Sequence, residues 1–99
     1  MTLVGDENHL PKEFSLSQNY PNPFNPSTTI KVSLSSKQQV KLVVYDLLGR
    51  EIETLVNGEL LESGEHSFVF NAQSLSSGTY IYRVQAGEFV AMKKMLLVK

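Results

Sequence analysis

The chain has 99 residues, of which nine are Lys or Arg and ten are Asp or Glu, so its formal net charge is -1. A near-neutral chain lacks the basic excess that attracts nucleic acid or an anionic membrane surface, and this argues against both as partners. The absence of cysteine excludes a disulfide framework and thiolate chemistry. No apolar run reaches the roughly 18 residues that a membrane-spanning helix needs, so we expect no membrane insertion.

The first twelve residues are polar and show no hydrophobic periodicity, which predicts a flexible tether. They lack the basic start and the apolar centre of a secretory signal peptide. We expect the chain to be a piece of a longer protein, with a linker at residues 1–12 and one folded domain at residues 13–99.

From residue 13 onward, short alternating runs separated by turn residues predict β-strands at 13–18, 28–34, 39–47, 50–56, 64–70, 78–86 and 88–98. Asn57-Gly58 predicts a tight turn at the end of the fourth strand, and Ala86-Gly87 predicts a hairpin between the last two. Gly49 suits a turn that needs a positive φ. Seven short strands without any helical period predict an all-β fold, an immunoglobulin-like antiparallel β-sandwich.

The segment LSSGTY (75–80) brings a glycine and then a tyrosine to the start of the predicted sixth strand. This pattern resembles the tyrosine corner of immunoglobulin-like sandwiches, in which the phenol hydroxyl donates a hydrogen bond back to the loop backbone. We predict that role for Tyr80, with Gly78 two residues before it. The alternative is an ordinary core or edge tyrosine.

The segment QNYPNPFNPSTTI (18–30) places three prolines and three asparagines in nine positions before a β-branched run. Each proline fixes its own φ, favours an extended conformation in the residue before it and removes an N–H donor, which excludes a central strand. We expect the side chains of Asn22 and Asn25 to bond to nearby backbone and close Asx-type turns, and Tyr20 and Phe24 to pack inward. We interpret the segment mainly as a rigid corner between the first two strands, with direct recognition by a partner as the alternative; its corner residues are Tyr20, Pro21, Asn22, Pro23, Asn25 and Pro26.

No group of residues in the sequence predicts catalysis. The two histidines are His9 in the tether and His66 in a strand, where His66 is in phase with Phe68 and Phe70 as in a half-buried strand position. The sequence contains no nucleophile elbow, zinc-ligand spacing, EF-hand loop or glycine-rich phosphate loop. We therefore expect a protein without enzymatic activity, cofactor or metal site.

A carbohydrate-binding module is an alternative, since many β-sandwich modules stack sugar rings on exposed aromatic side chains. The chain has no tryptophan, and most of its aromatic residues are in phase with core strands. The aromatic residues that remain available for a sugar platform are Tyr20, Phe24 and Tyr82.

Four successive segments resemble the motif blocks of the type A C-terminal sorting domain of type IX secretion: FSLSQNYPNPFNPSTTI (14–30), VYDLLGREIETLV (44–56), LLESGEHSFVFNAQSLSSGTYIYRVQAG (60–87) and KKMLLVK (93–99). The resemblance covers residues 13–99, with Gly49 and Arg50 in the second block and Gly78 and Tyr80 in the third. The first block is also similar to the immunoglobulin-like domain of flagellar hook-capping proteins, which is kept as an alternative. The terminal block favours the sorting domain.

The resemblance implies a non-catalytic signal at the C-terminus of a larger protein that is exported through the periplasm and across the outer membrane to the cell surface or the extracellular space. The partners it implies are the type IX translocon or its shuttle proteins, a sortase-like surface peptidase that cuts in the upstream linker, and the N-terminal cargo domain of the same parent chain.

After Glu88 the chain has no acidic residue and carries Lys93, Lys94 and Lys99. Lysines on an edge strand often serve only to prevent edge-to-edge aggregation, which is the alternative explanation here. We predict that these three lysines, with the terminal carboxylate, contact the translocon or a shuttle protein.

Overall fold

The computed structural model describes residues 12–99 of the chain. Its seven strands are β1 (Ser15–Leu16), β2 (Ser27–Leu34), β3 (Gln38–Tyr45), β4 (Glu51–Leu61), β5 (Gly64–Asn71), β6 (Gly78–Ala86) and β7 (Phe89–Leu97). All seven predicted strands are present, although the first is shorter and the fourth longer than the sequence predicts. The predicted tether lies outside the described residues apart from Lys12, which is exposed.

The strands form two antiparallel sheets that pack as a sandwich. One sheet has the strand order β1-β2-β5, and the other has the order β4-β3-β6-β7. β6 and β7 pair along their whole length, from Gly78 with Leu97 to Ala86 with Phe89, as the predicted hairpin requires. This architecture confirms the predicted immunoglobulin-like β-sandwich.

Alternation along the strands buries one face of each sheet. In β2, for example, Ile30, Val32 and Leu34 are buried while Lys31 between them is exposed. The two sheets share one core, whose largest fully buried side chains are Tyr82, Phe24, Phe70, Ile30, Leu34, Leu42, Met95, Leu97, Val32, Val40, Val44 and Val84.

The predicted tight turn at Asn57-Gly58 is wrong, because β4 continues past both residues. The register with β3 omits Gly58, since Val40 pairs with Glu59 while Lys41 pairs with Asn57. Gly58 has a φ of 72°, a left-handed conformation that glycine adopts without strain. It therefore forms a β-bulge in a continuous strand, and the positive φ that favours Asn-Gly in turns is used here to bend β4.

Tyr80 forms the predicted tyrosine corner. Its hydroxyl donates a hydrogen bond of 2.7 Å to the carbonyl oxygen of Ser76, four residues upstream. The ring is buried at the start of β6, next to Gly78. This bond fixes the connection between β5 and β6, which lies at the end of the sandwich where β7 terminates.

The pairing register brings several connections to that same end. β6 begins opposite the end of β7, because Gly78 pairs with Leu97. β3 ends beside the start of β6, because Tyr45 pairs with Ile81. This end, termed the C-terminal pole, consists of residues 20–26, 46–50, 72–78 and 94–99.

The start of the described chain lies at the opposite end. Ser15 of β1 pairs with Ser33 near the end of β2, and the ring of Phe14 stacks on Phe89 with centroids 5.7 Å apart. The nine residues of β6 separate the two ends by about 30 Å, at about 3.3 Å for each residue. This opposite end, termed the N-terminal pole, consists of residues 12–15, 35–37, 62–63 and 87–88.

Candidate recognition surface at the C-terminal pole

The proline–asparagine segment leaves the sheet of β1 and β2 and attaches to the end of β7. The backbone N–H of Phe24 donates to the carbonyl of Leu96 at 2.9 Å, and the N–H of Val98 donates to the carbonyl of Phe24 at 3.0 Å. Phe24 and Leu97 thereby form a parallel β-bridge. The Phe24 ring is 2% exposed and lies against Phe70, with centroids 6.1 Å apart. The segment therefore covers the free edge of β7 where that strand ends.

Two side chains of the segment extend this contact. The Oδ1 of Asn22 accepts the N–H of Leu96 at 3.0 Å, and the Nε2 of Gln18 donates to the carbonyl of Lys94 at 2.7 Å. The expected bond of Asn22 to nearby backbone is wrong, since its partner lies 74 residues along the chain. The reason is that β7 is an edge strand and offers an N–H that no neighbouring strand uses. Asn25 and Pro23 are exposed.

No sequence motif singles out Asn19, which anchors the segment from inside and is buried. Its Nδ2 donates to the carbonyl of Pro21 at 3.1 Å and to the Oγ1 of Thr28 at 3.0 Å, and the Thr28 hydroxyl donates to the same carbonyl at 2.8 Å. The Asn19 N–H donates to the hydroxyl of Tyr82 at 2.8 Å, and that hydroxyl donates to the carbonyl of Ser17 at 2.7 Å. These hydrogen bonds hold the segment in place through polar contacts, as the buried Phe24 ring does through apolar ones.

Tyr82 joins the two sheets through this network. Its side chain is fully buried on the inner face of β6, and burial raises its pKa to about 12, although the bond from the Asn19 N–H acts in the opposite direction. The hydroxyl is therefore neutral over the physiological range and both donates and accepts a hydrogen bond. Tyr82 thus links the four-stranded sheet to residues 17–19, which follow β1 of the other sheet.

The far end of the segment is fixed to β2 and to the corner before β6. The carbonyl of Pro26 accepts the N–H of Ala72 at 2.8 Å, and Tyr20 and Thr29 exchange two backbone bonds of 3.0 and 2.9 Å. The Tyr20 ring is 81% exposed, so the expectation that it packs inward is wrong. Successive side chains of a paired segment point to opposite faces, and Asn19 takes the inward one. These bonds support the interpretation of the segment as a rigid corner.

The turn between β3 and β4 is also tightly held. The Oδ1 of Asp46 accepts the N–H groups of Leu48 and Arg50, both at 2.9 Å, and its Oδ2 accepts the Nε of Arg50 at 2.6 Å. The bond from the Arg50 backbone, helped by the Arg50 guanidinium, lowers the pKa of the Asp46 carboxyl. Gly49 has the expected positive φ, 85°. This rigid turn presents Leu47 and Leu48 as exposed apolar side chains at the C-terminal pole.

The three lysines predicted to contact a partner lie at separate positions. Because side chains alternate along β7, Lys93 is in phase with buried Met95 and is half-buried, whereas Lys94 lies exposed on the outer face. Lys99 lies beyond the strand, where its Nζ donates to the carbonyl of Gln73 at 2.8 Å. The three positive charges are therefore spread over both faces of β7 and the chain end beyond it.

A shallow groove with a volume of ≈ 200 Å³ lies between the proline–asparagine segment and β7, lined by Asn22, Thr79, Lys94, Met95 and Leu96. It brings the amide of Asn22 and the ammonium group of Lys94 beside the exposed side chain of Leu96. The His66 ring lies toward the other pole, with Nε2 2.7 Å from the carbonyl of Glu62.

The described residues also bear on metal, membrane and sugar-binding sites. Within residues 12–99 no group of three His, Cys, Asp or Glu side chains is close enough to hold a metal ion. No helix in that range is long and apolar enough to cross a membrane. Of the aromatic residues considered for a sugar platform, Phe24 and Tyr82 belong to the core, so the proposed exposure of these two is wrong and Tyr20 alone faces solvent.

The comparisons with known proteins bear on the same segments. A model of the secretion system C-terminal sorting domain family matches residues 18–99, from the first residue of the proline–asparagine segment to Lys99. A search of the curated proteins gave no match. Among solved structures, the crystal structure of dimeric latent PorU from Porphyromonas gingivalis is similar, with a TM-score of 0.57 and 23% identity over 82% of this chain and 9% of that one. At this identity the likeness shows the fold alone, and the chain spans less than a tenth of the length of that protein.

Proposed function

The chain belongs to the family of secretion system C-terminal sorting domains, and from this membership we propose that each of its two poles has a separate role in sorting. Domains of this family are signals of type IX secretion, and they mark proteins for export across the outer membrane to the cell surface or the extracellular space. The family is in general non-catalytic. The present chain acts in the same way, as the C-terminal signal of a larger exported protein.

The N-terminal pole carries the cargo. β1 begins there, with Ser15 as its first paired residue, so a domain attached ahead of residue 12 joins the folded domain at the end opposite the C-terminal pole. A sortase-like surface peptidase cuts within residues 1–12, where cleavage removes no strand of the folded domain at 13–99. The position of the first strand supports this assignment.

The C-terminal pole faces the translocon or a shuttle protein. The observation that carries this proposal is that parts of all four segments that resemble the family's motif blocks, which are far apart in sequence, meet at this pole: residues 20–26, 46–50, 72–78 and 94–99. Lys94 and Lys99 make its contacts, and the half-buried Lys93 lies next to Lys94 on β7. Protection against aggregation explains these lysines less well, because backbone bonds to Phe24 already cover the edge of β7 there.

A reporter with a signal peptide, fused in front of residues 1–99 in a host with type IX secretion, is expected to reach the cell surface. A chain that ends at Leu97 keeps β7 complete but loses the backbone bond from Val98 to Phe24 and both bonds of Lys99, to Ser77 and Gln73. We expect its reporter to stay in the periplasm with the domain folded, as judged by circular dichroism.

The matched control removes Met1 and Thr2, the same number of residues from the other terminus. Its reporter is expected at the surface in the same amount as with the complete chain. Equal export of the two shortened chains would contradict a signal at the C-terminal pole. A complete chain that stays in the periplasm would contradict the sorting function as a whole.

A further inference from the structure

The outer face of the four-stranded sheet carries a diagonal row of three cations. In the register, Lys41 of β3 lies opposite Gln85, and Arg83 of β6 lies opposite Met92. Arg83 is two residues from Gln85, and Lys94 of β7 is two residues beyond Met92, so each step crosses one strand and advances two residues toward the C-terminal pole. Adjacent strands are about 4.8 Å apart and two residues span about 6.7 Å, which makes each step about 8 Å.

Nothing within these strands neutralises the row. β3, β6 and β7 contain no Asp or Glu. By register, Glu51 of β4 lies opposite Tyr45, which is two residues beyond Val43 and four beyond Lys41 on β3. Its carboxylate accepts a bond from Thr54. The ion pairs formed among residues 12–99 involve other cations: Lys31 with Glu65, Lys37 with Glu62, and Arg50 with Asp46.

Exposed apolar side chains lie beside these cations on the same face. Val90, Met92 and Leu96 of β7 are 45%, 57% and 41% exposed. Val43 of β3 also lies on the outer face, opposite Arg83, and is 2% exposed although it is not part of the core between the sheets. Methionine and arginine next to aliphatic side chains are typical of the centre of a protein–protein interface.

The arrangement favours a protein over a lipid surface as the occupant. Arg83 lies on an inner strand of the sheet among apolar side chains, so a bilayer that covered those side chains would have to bury its guanidinium. Carboxylates of a protein surface can pair with these guanidinium and ammonium groups where they lie, and Arg donates two parallel hydrogen bonds to one carboxylate.

We propose that the outer face of the four-stranded sheet docks an acidic protein surface whose carboxylates pair with Lys41, Arg83 and Lys94 while its apolar side chains cover Met92 and its neighbours. The inference rests on the proposed function, since the acidic surface belongs to the export machinery. It extends the contact from the C-terminal pole along one face of the domain and assigns the charge of the partner.

The test compares two double variants in the reporter assay. Lys41→Glu/Arg83→Glu reverses the two cations of the row that lie outside the C-terminal pole, and Lys31→Glu/Lys37→Glu reverses two exposed lysines elsewhere. Each replacement changes the charge by two, so both variants go from -1 to -5. Reversal of the two cations in the row variant is expected to lower the reporter at the surface about tenfold or more, while the control is exported like the unmodified chain.

The outcomes separate the two proposals. Normal export of the row variant beside normal export of the unmodified chain would overturn the docking face and leave the sorting function intact, whereas failure of the unmodified chain would overturn the sorting function. Thermal unfolding of both variants checks that the domain stays folded. A variant of the row that unfolds is replaced by the single change Arg83→Glu, with Lys31→Glu as its control.

A direct binding measurement uses the complete chain. Poly-L-glutamate is expected to shift the backbone amide NMR signals of β3, β6 and β7 and to leave those of β2 and β5 unchanged, and the row variant is expected to show no shift. Shifts spread over both sheets would overturn the proposal. Tighter binding to phosphatidylglycerol vesicles than to poly-L-glutamate would overturn it in favour of a membrane surface.

Discussion

Replacing Phe24 with alanine is expected to lower the free energy of unfolding by about 3–5 kcal/mol, the range observed when a buried aromatic ring is removed. The ring is 2% exposed and packs on Phe70. The same residue attaches the proline–asparagine segment to β7 through its backbone bonds with Leu96 and Val98. Loss of the ring therefore leaves a cavity and also loosens the cover over the edge of β7.

Tyr20→Ala is the matched control for this variant. It removes an aromatic ring from the same segment, four residues away, but that ring is 81% exposed. We expect a change within about 0.5 kcal/mol, as for surface substitutions in general. Urea unfolding of both variants, with the midpoint compared at an unchanged slope, gives the two values. Equal losses for Phe24→Ala and Tyr20→Ala would contradict the role of Phe24 as the anchor of the segment.

Tyr82→Phe is expected to have the next largest effect. It leaves the N–H of Asn19 and the carbonyl of Ser17 without their partner while the ring still fills its place in the core. The bond of the Asn19 N–H is buried, and a buried polar group that loses its partner costs about 1–3 kcal/mol, so we expect a loss of that size at neutral pH. Tyr45→Phe removes a hydroxyl from a half-buried tyrosine on the outer face and serves as the control.

The same variant has a distinct pH dependence. The pKa of Tyr82 in the folded protein is about 12, above its ordinary value of 10.0, so folding favours the protonated phenol. Its contribution to stability is therefore fully present below pH 10.0 and is lost as the pH rises toward about 12. Denaturant unfolding across this interval is expected to show a steeper fall for the unmodified chain and for Tyr45→Phe than for Tyr82→Phe. Parallel curves for all three proteins would contradict the buried, neutral phenol.

The strands could be predicted from the sequence because their signals are local. The run 28–34 alternates cleanly and agrees with β2, Ser27–Leu34, and the run 78–86 agrees with β6, Gly78–Ala86. Tyr80 could also be predicted, since its partner Ser76 lies only four residues away. The opposite faces of Lys93 and Lys94 follow from the period of two in a strand, which the sequence contains.

The contacts that fix the candidate site could not be predicted in the same way. Asn19 bonds to Tyr82 across 63 residues and Asn22 bonds to Leu96 across 74, and no single-sequence pattern records such pairs. Asn-Gly at 57–58 is compatible with a hairpin turn and with a bulge, because both need a positive φ. Pairing with β3 decides between them, and that pairing is a property of the folded sheet.

Whether the C-terminal pole carries the sorting signal is tested most directly by placing the same Gly-Ser-Gly-Ser segment at each pole of the reporter fusion. One fusion carries it between Gly87 and Glu88, in the exposed turn at the N-terminal pole, and the other carries it after Lys99. Both additions lie outside the paired strands, so both domains are expected to fold. A signal at the C-terminal pole predicts surface export of the first reporter and retention of the second in the periplasm. Export of both, or retention of the first alone, would contradict it.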